Sequence, residues 1–110
     1  MSRLISLLFF PVLAITACAA PRYSASLDLD RLTLRLRLPN AQTVGFASSL
    51  DGFQVHPARK VGAQTWEVQQ PASRSFKYFF VVDGKAYTPE CRLKEADDFG
   101  AQNCLFDRGM

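Results

Sequence analysis

Residues 75–88 read Ser-Phe-Lys-Tyr-Phe-Phe-Val-Val-Asp-Gly-Lys-Ala-Tyr-Thr. Phe76, Tyr78, Phe80 and Val82 recur at every second position, the period of a strand whose alternate side chains enter a core. Asp83-Gly84 is the dipeptide that a two-residue hairpin favours, because both central residues must take positive φ. Residues 85–88 then return as the partner strand. Upstream, Leu32, Leu34, Leu36 and Leu38 alternate with Thr33, Arg35 and Arg37, predicting a half-buried strand with a charged outer face. Leu27 and Leu29 are in the opposite phase, so a turn or bulge belongs near Asp30-Arg31. Val44 and Phe46 open another strand, which turns at Leu50-Asp51-Gly52-Phe53, and residues 64–68 form one around Trp66, the only tryptophan. No sustained 3.6-residue period follows the leader, and strands spaced by about ten residues with turn signals between them mean an all-β sandwich or barrel.

The remaining composition narrows the class. The 110 residues are 48% apolar and 21% charged, which suits a globular domain and excludes a disordered chain. Two-domain enzymes and α/β barrels are excluded by length. The net charge is +3, with the basic excess in residues 22–85 and an acidic excess in residues 86–110; no basic run exceeds Arg59-Lys60, so nucleic acid is not an expected partner.

The N-terminus reads as a leader. Arg3 precedes an almost wholly apolar stretch over residues 4–15, and Ile15-Thr16-Ala17-Cys18 follows. A charged start, an apolar middle and small residues at the end describe a secretory signal peptide. With a cysteine directly after the small residues, the segment resembles a bacterial lipoprotein leader. The resemblance implies cleavage before Cys18, a diacylglyceryl thioether on its sulfur and N-acylation (palmitate type) of the new terminus. It implies a membrane-anchored protein of the cell envelope. Ala19 in place of Asp points by analogy to the outer membrane, facing the periplasm. The expected organisation is a signal peptide over 1–17, a lipidated tether over 18–26 and a β-sandwich domain over 27–110. With Cys18 lipidated, Cys91 and Cys104 remain as an even pair in an oxidising compartment, which favours a disulfide over two free thiols or a metal pair.

Three segments line up in order: residues 44–53 (Val-Gly-Phe-Ala-Ser-Ser-Leu-Asp-Gly-Phe), residues 78–85 (Tyr-Phe-Phe-Val-Val-Asp-Gly-Lys) and residues 97–104 (Asp-Asp-Phe-Gly-Ala-Gln-Asn-Cys). Together they resemble the early-set immunoglobulin-like domain of glycogen-binding modules, as in the β subunit of AMP-activated kinase and the front of isoamylases. The resemblance spans residues 31–107 and implies an immunoglobulin-like β-sandwich. It also implies a saccharide surface, transferred position by position. A sugar-stacking Trp of the family corresponds to Phe53, its hairpin Lys to Phe79, and its second Trp to Ala86, with Tyr87 beside it. The last motif is kept at Phe99 and Asn103. The chain thus keeps rings and loses much of the polar half that would pair with hydroxyls.

Catalytic and metal signals are weak. His56 is the sole imidazole, with Ser48, Ser49 and Asp51 near it in sequence, but nothing resembles a nucleophile elbow. Glu95, Asp97 and Asp98 do not match the spacing of a twelve-residue calcium loop. No cofactor, metal or catalytic role is expected. Phe79 and Val81 face away from the core row of their strand. Either the Cys91–Cys104 loop covers them, or they form a partner-binding patch. The expected function is a non-catalytic, protein-binding envelope module, possible partners being an envelope or secretion complex; the alternative is a degenerate glucan-binding module. The candidate binding residues are Phe53, Phe79, Val81, Tyr87, Phe99 and Asn103.

Overall fold

A computed structural model describes residues 22–97 and 100–109. The expected leader over 1–17, Cys18, Asp98 and Phe99 lie outside the described residues. No helix among those described is long and apolar enough to cross a membrane.

Ten strands make up the described chain: β1 (Tyr23–Asp28), β2 (Arg31–Arg37), β3 (Val44–Ser48), β4 (His56–Pro57), β5 (Arg59–Lys60), β6 (Thr65–Pro71), β7 (Phe76–Val82), β8 (Lys85–Tyr87), β9 (Lys94–Ala96) and β10 (Gln102–Phe106). All pairings are antiparallel. One sheet runs β1-β2-β6-β5 and the other β4-β3-β7-β10-β9. β8 and β10 share one edge of β7, the first against Phe80–Val82 and the second against Phe76–Tyr78. The two sheets pack as an immunoglobulin-like sandwich, with the order β1-β2-β6-β5 facing β3-β7-β10.

The period-two rows supply the core. Leu32, Leu34 and Leu36 face Phe76, Tyr78 and Phe80, each at most 4% exposed, with Val44, Phe46 and Trp66 around them. Phe46 meets Phe80 edge-on with centroids 5.5 Å apart, and Phe76 packs on Phe106 at 5.2 Å. Tyr23 and Tyr78 hydrogen-bond through their hydroxyls across the interior. Burial holds both phenols above the ordinary tyrosine value, and for Tyr23 the proximity of Tyr78 adds to the effect. The hairpin expected at Asp83-Gly84 is present, with both residues at positive φ (48° and 82°). Its Asp83 carboxylate accepts from the backbone N–H groups of Thr43 and Gln42, each at 2.8 Å, and these bonds hold its pKa below the ordinary aspartate value. Those bonds tie the β7–β8 turn to the entry of β3.

Cys91 and Cys104 form the expected disulfide, with Cα atoms 5.9 Å apart. Closing so short a loop stabilises the fold by about 3 kcal/mol on the loop-entropy view.

The tether boundary is corrected. Residues 23–26, expected within it, belong to β1, paired with β2 from Tyr23↔Leu36 to Asp28↔Arg31. Tyr23, Ala25 and Leu27 face inward and Ser24, Ser26 and Asp28 outward, an alternation muted by small residues. Among the described residues the sandwich therefore includes Tyr23 to Ser26 as well as the chain from Leu27. The turn expected near Asp30 falls at Leu29-Asp30, with Leu29 at φ 57°.

Candidate functional site

The surface of interest is the outer face of the second sheet, built on β3 and β7. Register sets Ala47 opposite Phe79 and Gly45 opposite Val81, all pointing away from the core. Two small residues on β3 leave room above the sheet, and the turn after β3 fills it. Phe53 stacks on Phe79 with centroids 5.7 Å apart and planes 20° apart. Val55 lies over Gly45, where a Cβ would come within 2.6 Å of its Cγ1. Phe53 remains 36% exposed and Val55 56%, while Phe79 and Val81 are half-buried beneath them. The result is a contiguous apolar ridge whose crest meets solvent.

The turn that carries this ridge is held by polar bonds. The Ser48 hydroxyl accepts from the Leu50 N–H at 3.3 Å, and the Phe53 N–H donates to the Ser48 carbonyl at 2.8 Å. Asp51 accepts from the Gln54 N–H at 3.2 Å through one oxygen and pairs with His56 Nε2 at 2.5 Å through the other. The His56 bond, with the Gln54 N–H adding to it, keeps the Asp51 carboxyl below its ordinary pKa. Gly52 and Phe53 both take left-handed conformations, φ 74° and 63°. Glycine does so freely, whereas a bulky side chain there stores about 1–3 kcal/mol of strain. The turn thus spends backbone strain to place an aromatic ring in an exposed position.

The six candidate binding residues do not all share this surface. Phe53, Phe79 and Val81 come together. Extending the register of β10 with β7 by one step sets Asn103 opposite Phe79 on the same face, half-buried. Tyr87 pairs with Phe80 and packs against the core, so it lies on the other side of the sheet and leaves the candidate platform. Counting past Asp-Gly found its sequence position but not its parity. Phe99 lies outside the described residues. Val55 was missed; its only signal in sequence was Gly45, which a strand tolerates where another group approaches closely.

The disulfide bond itself does not cover the patch; of the loop it closes, β9 lies beyond β10 from β7, and Asp98 and Phe99 lie outside the described residues. Cys104 opposes Tyr78, faces inward and is fully buried, so the bridge sits behind the sheet relative to Phe79. The ion pair flanking the ridge is Lys77 with Glu95, at 2.9 Å.

The residues near His56 are committed elsewhere. Ser49 Oγ accepts from the Lys77 N–H at 3.0 Å, and Ser48 is buried beneath its cap. Asp97 accepts from the Ala101 N–H, while Glu95 is held by Lys77. No cluster of three His, Cys, Asp or Glu side chains suited to a metal ion occurs among the described residues. No protein-family profile matches the chain, and neither does any curated protein sequence.

Proposed function

We propose that this protein is an envelope lipoprotein, anchored through Cys18 at the outer membrane and facing the periplasm. Its sandwich is a non-catalytic module that binds a protein partner, a component of an envelope or secretion complex, through the Phe53–Val55–Phe79–Val81 ridge. The observation that carries the reading is Phe53: an aromatic residue in a strained left-handed conformation, stacked on Phe79 and still open to solvent. The stacking of a half-exposed ring returns only about 1 kcal/mol against backbone strain of similar size, and strain of this kind clusters at binding sites. Exposed contiguous apolar surface is the usual mark of a protein interface. Glucan is the less favoured ligand, because Phe53 and Phe79 cover one another's faces and Tyr87 is turned to the core.

Two experiments test the two halves of the proposal. Cys18→Ser should release the protein from the membrane fraction or leave its precursor uncleaved; unchanged processing and fractionation would refute the anchor. Val55→Asp adds a charge at an exposed position, so the melting temperature should stay within a few degrees of wild type. Pull-down from solubilised membranes should then lose the specific partner that the wild-type protein retains. Retention of that partner by Val55→Asp, or a glucan titration that gives heat and chemical-shift changes at Phe53, would overturn the protein-binding reading.

A further inference from the structure

The edges of the two sheets are not equally protected. Exposed edge strands invite pairing with another chain, and proteins blunt them with charge, proline or brevity. β4 has two residues and includes Pro57, β5 is Arg59-Lys60, and β9 is Lys94-Glu95-Ala96. β1 is different. It is six residues long, and between its ends it carries only Ser24, Ala25, Ser26 and Leu27. Nothing among the described residues pairs with its outer edge.

The hydrogen-bonding phase of that edge follows from one bond. The Arg37 N–H donates to the Arg22 carbonyl at 2.7 Å, so the Arg22/Arg37 pair is a hydrogen-bonded one. Alternation then assigns Ser24, Ser26 and Asp28 to β2. It leaves the N–H and C=O groups of Tyr23, Ala25 and Leu27 pointing out of the sheet. These same residues turn their side chains toward the core side, where they border an apolar groove of about 410 Å³ that also includes Leu32, Tyr78 and Cys91. Leu27 is 47% exposed there.

We propose that this edge is seated against a second copy of the chain, β1 against β1 in antiparallel array about a two-fold axis through Ala25. Side chains directly opposite one another share a face, so the register must pair inward residues with inward residues. Centring it on Ala25 sets Tyr23 opposite the partner's Leu27, and Ser24 opposite the partner's Ser26. Each of the three inward pairs then exchanges two hydrogen bonds, using every outward group of the free edge. At the ends, Arg22 meets the partner's Asp28, and the symmetric contact repeats the pair. Neither Arg22 nor Asp28 forms an ion pair among the described residues. Seryl and alanyl side chains at the axis let the strands approach without obstruction. A two-fold axis normal to the sheet keeps both inner faces on one side, so the partner's Tyr23 helps to cover Leu27 beside the groove. Charge complementarity, matched polarity and matched hydrogen-bonding phase thus coincide in a single register.

Cysteine substitution in the full-length chain, read on non-reducing gels of cells expressing it under mild oxidation, tests the register. Ala25→Cys should give a disulfide-linked dimer, because the two copies of this residue face each other across the axis. Leu27→Cys should give little, since it opposes the partner's Tyr23. Adding Arg22→Asp to Ala25→Cys should reduce the dimer by opposing two aspartates, and further adding Asp28→Arg should restore it. No Ala25→Cys dimer, an equal Leu27→Cys dimer, or indifference to the charge exchange would overturn the proposal. So would an Ala25→Cys adduct of another mass, which would place a foreign strand on this edge. The assay does not depend on membrane anchoring or on the Phe53 ridge, so those readings can fail without affecting it.

Discussion

The outer faces of the two sheets differ although the same alternation built them. On the first sheet Thr33, Arg35 and Arg37 of β2 stand beside Glu67 and Gln69 of β6, and Arg35 reaches Glu67 at 2.9 Å. On the second sheet the corresponding places hold Gly45, Ala47, Phe79 and Val81, roofed by Phe53 and Val55. A sandwich needs only its inner faces apolar. The first sheet obeys that minimum: its exterior is polar, with Arg35 exposed and Glu67 buried beside it. The second exceeds it, and that excess is the observation on which the proposed protein interface rests.

The sharpest way to test this contrast is within β7, where both kinds of face lie on one strand. Phe80→Ala empties a fully buried site and should cost about 3–5 kcal/mol in urea unfolding. Its neighbour Phe79→Ala removes a ring stacked on the outer side and should cost far less, about 1 kcal/mol. Equal losses would mean that Phe79 is core and that the ridge is packing rather than interface. On the first sheet, Glu67→Ala leaves Arg35 without its partner. Arg35 is 57% exposed, so water resolvates it, and the expected loss is about 1 kcal/mol or less, smaller still in high salt. A loss of several kcal/mol would make that charged exterior a structural element in its own right.

The smallest effect concerns pH. Asp51, which ties down the Phe53 turn, and Asp83, which ties the β7–β8 turn to β3, both have pKa values below the ordinary aspartate range. Their stabilising contribution is fully present above the unfolded-state value and is lost as pH falls through the lower folded values. Unfolding followed by denaturant at stepped pH below about 4 should show a loss that Asp51→Asn and Asp83→Asn each reduce. An acid limb unchanged in both variants would show that these carboxylates do not couple folding to protons.

Much of this was legible in sequence. Leu32 to Leu38 and Phe76 to Val82 alternate large apolar side chains with other residues, and Asp83-Gly84 fixes the hairpin, so the core rows could be read directly. β1 was not legible, because Ser24, Ala25 and Ser26 carry too little contrast for period two to stand out from a tether. The two-residue strands β4 and β5 are too short for any period. Part of the ridge was visible: Phe79 and Val81 had to face outward once the core row was assigned. Of its roof, Phe53 came only through the family resemblance and Val55 not at all, since bringing Val55 over Gly45 depends on the left-handed turn at Gly52-Phe53. Tyr87 shows the limit of motif transfer, which counts residues along a chain but not the face on which each emerges.

The close approach at Gly45 has a consequence for how this sequence can drift over time. A Cβ there would lie 2.6 Å from the Val55 Cγ1, nearer than real side-chain atoms come. Positions 45 and 55 are therefore not free to change independently. A descendant that acquired alanine at 45 would have to turn Val55 to another χ1 rotamer, exchange it for a smaller residue, or lift the turn from the sheet. Each route lowers or displaces the ridge. Homologous chains with a residue larger than glycine at 45 should accordingly be enriched in small residues at 55.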